Sequence, residues 1–169
     1  MTYHDITVVI TSFRSETKIV DCLNSIKPEV KVIIIENSNN SDFKKRVEKR
    51  YSNVICFLSN ENLGYAKGNN FGLKKVKSKY ALIINPDAVL ENDAIDNFLL
   101  SAKNNQDFAL IGPYIQESND FKAQKNSEPE LKEVDSVKGF AMFFNMSQFK
   151  DVGFFDENIF IYLEEIDLC

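Results

Sequence analysis

Short runs of β-branched and aromatic residues alternate along this chain with segments whose apolar residues recur every three or four positions. That alternation predicts parallel strands joined by crossover helices. The run from Val30 to Ile35 is apolar except for one lysine, which is typical of a parallel strand covered on both faces. We therefore expect an α/β fold with a mostly parallel, Rossmann-like sheet and helices on both faces.

The pattern predicts strands at residues 6–11, 30–36, 54–58, 80–84 and 108–111, and an ordered, phenylalanine-rich run at 137–145. A first helix is expected after Ser15, which is a suitable N-cap residue. A second helix should contain Phe43 and Val47, a third Leu73 and Val76, and a fourth should span 93–103. A short helix capped by Ser147 should end at Gly153. The polar stretch 116–133 is expected to be an exposed, mobile loop.

Composition excludes several classes of protein. The 169 residues are 44% apolar, enough for one domain with its own core, and the net charge of −5 argues against non-specific binding of nucleic acid. No apolar run approaches the roughly 20 residues of a membrane-spanning helix. Three cysteines without metal-ligand spacing favour a reducing, cytoplasmic location. Because residue 169 falls in the first turns of a further helix, we expect residues 1–169 to be one domain shortened at its C-terminus.

Polar residues follow the first four predicted strands. They are residues 11–14, 36–38, 60–64 and 85–87. In an open parallel sheet, ligands bind beyond the carboxyl ends of the strands. Four such clusters on one edge predict a cleft for a polar ligand.

The turn Asn85-Pro86-Asp87 places a carboxylate at that edge. Mg²⁺ commonly takes one or two protein carboxylates and completes its coordination with substrate phosphates and waters. A single aspartate is therefore sufficient if a diphosphate supplies further ligands. The alternative is that Asp87 only caps a following helix.

Two other segments have open interpretations. Residues 64–72 are rich in glycine and begin a helix, which allows either close approach of an anion or a purely structural role. Residues 154–169 combine phenylalanines with five acids, among them Glu164, Glu165 and Asp167. These acids form either an exposed helix start or a group in which one carboxylate faces the cleft as a general base.

Taken together, these pieces resemble glycosyltransferase family 2, whose members have the GT-A nucleotide-diphospho-sugar transferase fold. Within the family, the chain is most similar to rhamnosyltransferase-type enzymes that build bacterial polysaccharides. The matching pieces occur in the family's order over nearly the whole chain: residues 8–13, 35–38, 60–70, 85–87, 139–142, and 155–156 through 162–169.

The resemblance implies a role for each matching residue. Asp87 stands in the family's Asp-x-Asp motif as the metal ligand, and Glu165 stands where the catalytic base is expected. The nucleotide-sugar site would be formed by Thr11, Glu36, Asn62, Gly64, Asn70 and Asn85. Glu36 and Glu165 both replace the family's commoner aspartate, which lengthens each side chain by one methylene.

By the same resemblance, the expected function is inverting transfer of a hexose or deoxyhexose from a UDP- or dTDP-sugar, with Mg²⁺ or Mn²⁺ as cofactor. The acceptor would be a glycan or a lipid-linked sugar, which could bring the protein to the inner face of the membrane. Two alternatives stay open. One is a sugar-nucleotide-binding fragment without transfer activity, and the other is a different nucleotide-dependent α/β enzyme such as a nucleotidyltransferase.

Overall fold

The computed structural model describes residues 1–114 and 131–169. Its strands are β1 (Ile6–Ser12), β2 (Lys31–Glu36), β3 (Val54–Leu58), β4 (Tyr80–Ile84), β5 (Leu110–Ile111) and β6 (Ala141–Asn145). Its α-helices are α1 (Ile19–Ser25), α2 (Ser41–Arg50), α3 (Gly64–Leu73), α4 (Ala94–Asn104) and α5 (Glu164–Leu168). Single 3₁₀ turns cover Tyr3–Asp5 and Met146–Phe149.

Within the described residues the strands form one six-stranded sheet in the order β3-β2-β1-β4-β6-β5. Strands β1 to β4 are mutually parallel, and β6 lies antiparallel between β4 and β5. The direction of the chain order changes between β1 and β4, which is where open α/β sheets bind ligands. The predicted mostly parallel α/β sheet is confirmed.

The strand register brings the polar clusters to one edge. Ser12 pairs with Glu36, and Glu36 pairs with Leu58, so the carboxyl ends of β1, β2 and β3 coincide. Thr11 and Asn85 each follow the last β1–β4 pair, Val9–Ile83, by two residues. This alignment places the predicted site residues of four strands along the same edge of the sheet.

Apolar side chains cover both faces of the sheet, because successive residues of a strand point to opposite sides. On one face, α1, α2 and α4 pack on side chains such as Val8, Ile10 and Val32. On the other face, α3 and α5 pack on side chains such as Val9, Ala81 and Ile83. The expectation of helices on both faces is therefore confirmed.

Two predicted helix caps are wrong. α1 begins at Ile19 rather than after Ser15, because the Ser15 hydroxyl donates to the Phe13 carbonyl and makes a local turn instead. Ser147 lies inside a 3₁₀ turn, where its hydroxyl pairs with the side chain of Asn145. Gly153 does end this segment as predicted: its φ is +83° and its amide donates to the Phe149 carbonyl.

β5 is shorter than the predicted run 108–111. Most of the loop predicted at 116–133 lies outside the described residues, and residues 131–133 are exposed. None of the helices in the described ranges is long and apolar enough to cross a membrane.

Candidate functional site

Thr11 marks the point at which β1 meets α3. Its hydroxyl donates to Asn69 Oδ1 at 2.8 Å. A Cβ placed on Gly68 would lie 2.6 Å from Thr11 Cγ2 and 3.2 Å from Asn37 Nδ2. Gly68 therefore allows α3 to approach the ends of β1 and β2 more closely than any other residue would.

Glu36, at the end of β2, is only 1% exposed. Its carboxylate accepts the amide of Ser38 at 3.0 Å, the hydroxyl of the same serine, and the amide of Asn40. Asn40 in turn caps α2 by accepting the amide of Phe43 at 2.9 Å. Glu36 thus organises the loop between β2 and α2, a role that the sequence pattern did not indicate.

Asn37 and Asn69 lie in the segments picked out after the second and third strands, but no role was predicted for either residue. Asn37 is buried and donates to the Gly64 carbonyl at 3.0 Å, which ties the β2 loop to the start of α3. Asn37 Oδ1 and Asn69 Nδ2 are buried without a hydrogen-bond partner in the part of the chain that the structure describes. Such atoms are costly in a protein interior, which makes this pair an uncommon feature of the edge.

The start of α3 is closed by a distant part of the chain. Asn62 accepts the Gly64 amide at 3.1 Å, and the Tyr65 amide donates to the Phe160 carbonyl at 3.0 Å. Gly64 has φ +72°, a conformation that favours glycine. The amide of Tyr65 could otherwise bind an anion at this helix terminus. Its hydrogen bond to Phe160 means that it already has a protein partner.

Asn70 points into a tertiary contact rather than along a loop. Its side-chain amide donates to the Phe155 carbonyl at 2.9 Å, and its Oδ1 accepts the Phe155 amide at 3.1 Å. A further hydrogen bond joins it to Glu157 at 3.1 Å. The side chain thus anchors the start of the acidic C-terminal segment to α3.

The turn after β4 leaves Asp87 accessible. The Asn85 amide donates to the Phe140 carbonyl at 3.0 Å, and the Asn85 carbonyl accepts the Ala88 amide at 3.1 Å. The Asp87 side chain is 53% exposed and lies 3.5 Å from Lys18 Nζ. The N-cap residue of α4 is Asp93, so the alternative that Asp87 caps the following helix is wrong.

No group of three or more His, Cys, Asp or Glu residues within 1–114 and 131–169 could hold a metal ion. The accessible carboxylate of Asp87 offers the hard oxygen that Mg²⁺ or Mn²⁺ prefers. A single carboxylate fits a cation that shares its coordination with a bound diphosphate, and it does not fit a site built entirely from protein.

The acids of α5 have different surroundings. Glu164 is 5% exposed and its Oε2 has no hydrogen-bond partner among the described residues, whereas Glu165 is half-buried and Asp167 is exposed. Burial, and to a lesser extent the charge of Glu165, raises the pKa of Glu164 above its usual range. Glu165 is therefore the more accessible of the two neighbouring glutamates.

Glu165 lies beside Gly139 and Tyr65. A Cβ on Gly139 would lie 3.7 Å from Glu165 Cδ and 3.4 Å from the Tyr65 oxygen, and the Tyr65 hydroxyl donates to the Gly139 carbonyl. Burial and the nearby carboxylates of Glu164 and Glu165 raise the pKa of Tyr65, so this hydroxyl remains a neutral donor. Since Phe140 holds Asn85, residues 139–140 connect the Asp87 turn with Glu165.

Comparison with known proteins shows the family to which the chain belongs. The family model described as "Glycosyl transferase family 2" matches residues 7–167. A curated relative from Haloferax volcanii, described as a low-salt glycan biosynthesis hexosyltransferase, is 23% identical over 98% of this chain and 60% of its own length. The rhamnosyltransferase WbbL of Escherichia coli is 25% identical over 90% of this chain and 69% of its own length.

Solved structures show the fold. Residues 1–349 of S. aureus TarS in complex with UDP superpose with a TM-score of 0.73 at 16% identity, covering 96% of this chain and 53% of that one. A mannosyltransferase from Pyrobaculum calidifontis in complex with GDP-Man and Mn²⁺ superposes with a TM-score of 0.71 at 11% identity, over 92% of this chain and 48% of its own. The present chain has the GT-A fold and spans about half the length of these structures.

Proposed function

The chain belongs to glycosyl transferase family 2, and on that premise we propose that it binds the donor and carries the catalytic base of a metal-dependent, inverting glycosyltransferase. The observation that supports this most is the meeting of two family motifs at residues 139–140. Gly139 lies beside the carboxyl group of Glu165, and Phe140 accepts the amide of Asn85, two residues before Asp87. Residues 139–140 thus connect two carboxylates. Asp87 is exposed and is proposed to bind a cation, and Glu165 is half-buried and is proposed to accept a proton.

The proposed donor is a UDP- or dTDP-sugar carrying a hexose or deoxyhexose. TarS was solved with UDP and the Pyrobaculum enzyme with GDP-Man and Mn²⁺, so nucleotide diphosphates are the first compounds to test. The proposed acceptor is a hydroxyl of a glycan or lipid-linked sugar in the synthesis of a cell-surface polysaccharide. A lipid-linked acceptor would require the protein to work in the cytoplasm at the inner face of the membrane.

Asp87 is the proposed metal ligand, with Asn85 beside it and Thr11 and Glu36 bordering the nucleotide. A divalent cation bound there would neutralise charge on the departing diphosphate. Lys18, which lies 3.5 Å from Asp87, is a further cation next to that position. The protein's contribution is to hold the carboxylate in the turn after β4, a strand whose residues are all buried.

Glu165 is the proposed general base. In a single displacement, its carboxylate takes the proton of the acceptor hydroxyl while that oxygen attacks the anomeric carbon from the face opposite the diphosphate. The neutral Tyr65 hydroxyl holds the Gly139 carbonyl next to it. Glu164, buried and with its pKa raised, is poorly placed to meet an acceptor.

The proposal is tested by the thermal stability of the purified protein with UDP, dTDP, GDP and the corresponding sugars, each with and without Mn²⁺ or Mg²⁺. A ligand present at about 100 times its Kd stabilises the native state by about 2.7 kcal/mol. We expect at least one nucleotide diphosphate to raise the Tm only when metal is present. If none does, the donor assignment is wrong. If a donor binds and no acceptor is glycosylated, the alternative of a binding fragment without transfer is supported.

Glu36 provides a prediction about the nucleotide pocket. We propose that the loop between β2 and α2, which this carboxylate holds, lines the side of the pocket that contacts the nucleobase or ribose. The carboxylate can accept a further hydrogen bond from the nucleotide. Glu36→Ala should raise the donor Kd about tenfold or more, because a hydrogen bond to a charged group contributes about 1.5–3 kcal/mol. Isothermal titration with the best nucleotide would measure this change.

Glu48→Ala is the matched control for that substitution. Glu48 also accepts a backbone amide, that of Cys56 at 2.9 Å, but it lies on α2 away from the carboxyl edge. Both variants should lose stability, and only the Glu36 variant should lose affinity. Equal donor affinity in the two variants would show that Glu36 has no part in the pocket.

A further inference from the structure

Phe160 packs directly against Gly64 at the start of α3. A Cβ on this glycine would overlap the Phe160 carbonyl oxygen and come within 2.7 Å of its ring. The same carbonyl accepts the Tyr65 amide at 3.0 Å. Only a residue without a side chain lets the backbone at 160 approach the start of α3 so closely, and the left-handed φ of +72° adds to the same requirement.

The backbone that follows Phe160 is strained. Tyr162 and Leu163 are consecutive non-glycine residues with φ of +67° and +70°. The two residues are 76% and 64% exposed, so their burial does not hold the conformation. Strained residues of this kind persist only where the surrounding structure fixes them. The contact between Phe160 and α3 is the fixed point immediately before them.

The conformation of Tyr162 and Leu163 sets the orientation of the two glutamates that follow them. Leu163 is the N-cap residue of α5, and its carbonyl accepts the amides of Ile166 and Asp167 at 3.1 and 3.0 Å. With this start, Glu164 turns inward and Glu165 lies beside Gly139. A shift of Phe160 would therefore rotate or displace the helix that carries Glu165.

A hydrogen bond from the end of β2 also holds Gly64 in place. Its carbonyl accepts the side-chain amide of Asn37, which follows Glu36 at the end of β2. A continuous set of contacts therefore runs from the β2 loop through Asn37 and Gly64 to Phe160, and along the chain from there to Glu165.

We propose that Gly64 is a positioning residue for Glu165, acting through Phe160, in addition to any contact with the nucleotide. This inference rests on the proposed function in that Glu165 is taken as the base. The structural part of the inference is that the contact of Phe160 with Gly64 positions residues 160–168. This part does not depend on turnover.

Gly64→Ala tests the inference, and Gly153→Ala is its matched control. Both glycines have left-handed φ values, +72° and +83°, so alanine strains the backbone in both. A Cβ at Gly153 has nothing within 4 Å among the described residues, whereas at Gly64 it meets Phe160. The difference between the two variants isolates the contact with Phe160.

In Gly64→Ala, we expect the amides of Tyr65, Ile166 and Asp167 to exchange with solvent about tenfold faster or more. Their hydrogen bonds depend on the close contact between Phe160 and residue 64. The kcat at saturating donor should fall about 10²-fold, the loss typical of a displaced catalytic group. Gly153→Ala should change none of these quantities beyond its loss of stability.

The inference is overturned if the two alanine variants have the same exchange rates at these amides. A wild-type protein that transfers no sugar would overturn the proposed function, and the exchange comparison would still decide the positioning role. If Gly64→Ala does not fold, Asn37→Ala takes its place, since it removes the donor to the Gly64 carbonyl without adding atoms. Unchanged exchange at Tyr65 and Ile166 in that variant would also overturn the inference.

Discussion

Replacing Glu165 by glutamine is expected to lower the rate of sugar transfer by about 10²- to 10⁴-fold, the usual contribution of a general base. The amide keeps the size of the side chain but has no site that accepts the proton at neutral pH. Donor binding should be unchanged, because Glu165 lies beside Gly139 rather than at the ends of β1 and β2. Initial rates with saturating donor, together with a donor titration, separate the two effects.

Glu164→Gln is the matched control, since it makes the same chemical change one residue earlier. Neighbouring residues of a helix point about 100° apart, so the two carboxyl groups cannot both face the acceptor. Glu164 is the buried member of the pair and its pKa is raised by that burial. We therefore expect the Glu164 variant to retain a much larger share of activity. A dead Glu164 variant beside an active Glu165 variant would show that the base has been assigned one residue too late.

The second large effect is expected from Asp87→Asn. The substitution removes the charge of the proposed metal ligand, and Asp87 lies at a strand end with its side chain 53% exposed, so the fold should tolerate the change. The Kd of the nucleotide diphosphate in the presence of Mn²⁺ should rise at least about tenfold, a loss of about 1.4 kcal/mol or more. The Kd without metal should be nearly the same as in the wild type.

Asp42→Asn controls for the loss of one exposed carboxylate. Asp42 is 77% exposed and lies 3.9 Å from Lys45, a pair much like that of Asp87 with Lys18, but it is in the first turn of α2. Metal-dependent binding should survive in this variant. Full metal-dependent stabilisation in the Asp87 variant would rule out Asp87 as the ligand.

The apolar pattern was sufficient to predict most of the sheet. β3 and β4 span the predicted residues, because each is a short apolar run between polar segments. The N-cap of α1 was predicted three residues too early, at Ser15 instead of Lys18. The type of residue made Ser15 a suitable cap, and a local hydrogen bond to Phe13 decided otherwise. Such competition between two local partners cannot be seen in the pattern.

The site was predictable at the strand ends and not beyond them. Thr11 and Glu36 lie at the carboxyl ends of buried strands and Asn85 and Asp87 follow another, so the strand register places them on one edge. Asn70 lies next to Asn69 in a run of polar residues, yet it holds Phe155, which is 85 residues away. The bond from Tyr65 to Gly139 spans 74 residues. Only the packing of the tertiary fold decides which of several similar residues makes such contacts. The assignments of substrate, metal and base to these residues stay predictions.

The position of β5 constrains the order in which the sheet can be completed. Within the described residues, Leu110 and Ile111 pair with β6 alone, and β6 is the strand that bridges them to β4. During synthesis from the N-terminus, β1 to β4 can pair with one another before residues 141–145 emerge from the ribosome, because these pairings lie within residues 6–84. β5 must wait until residues 141–145 have been translated. The β4 edge that pairs with β6 stays unpaired over the same interval, which leaves it open to intermolecular pairing in the nascent chain.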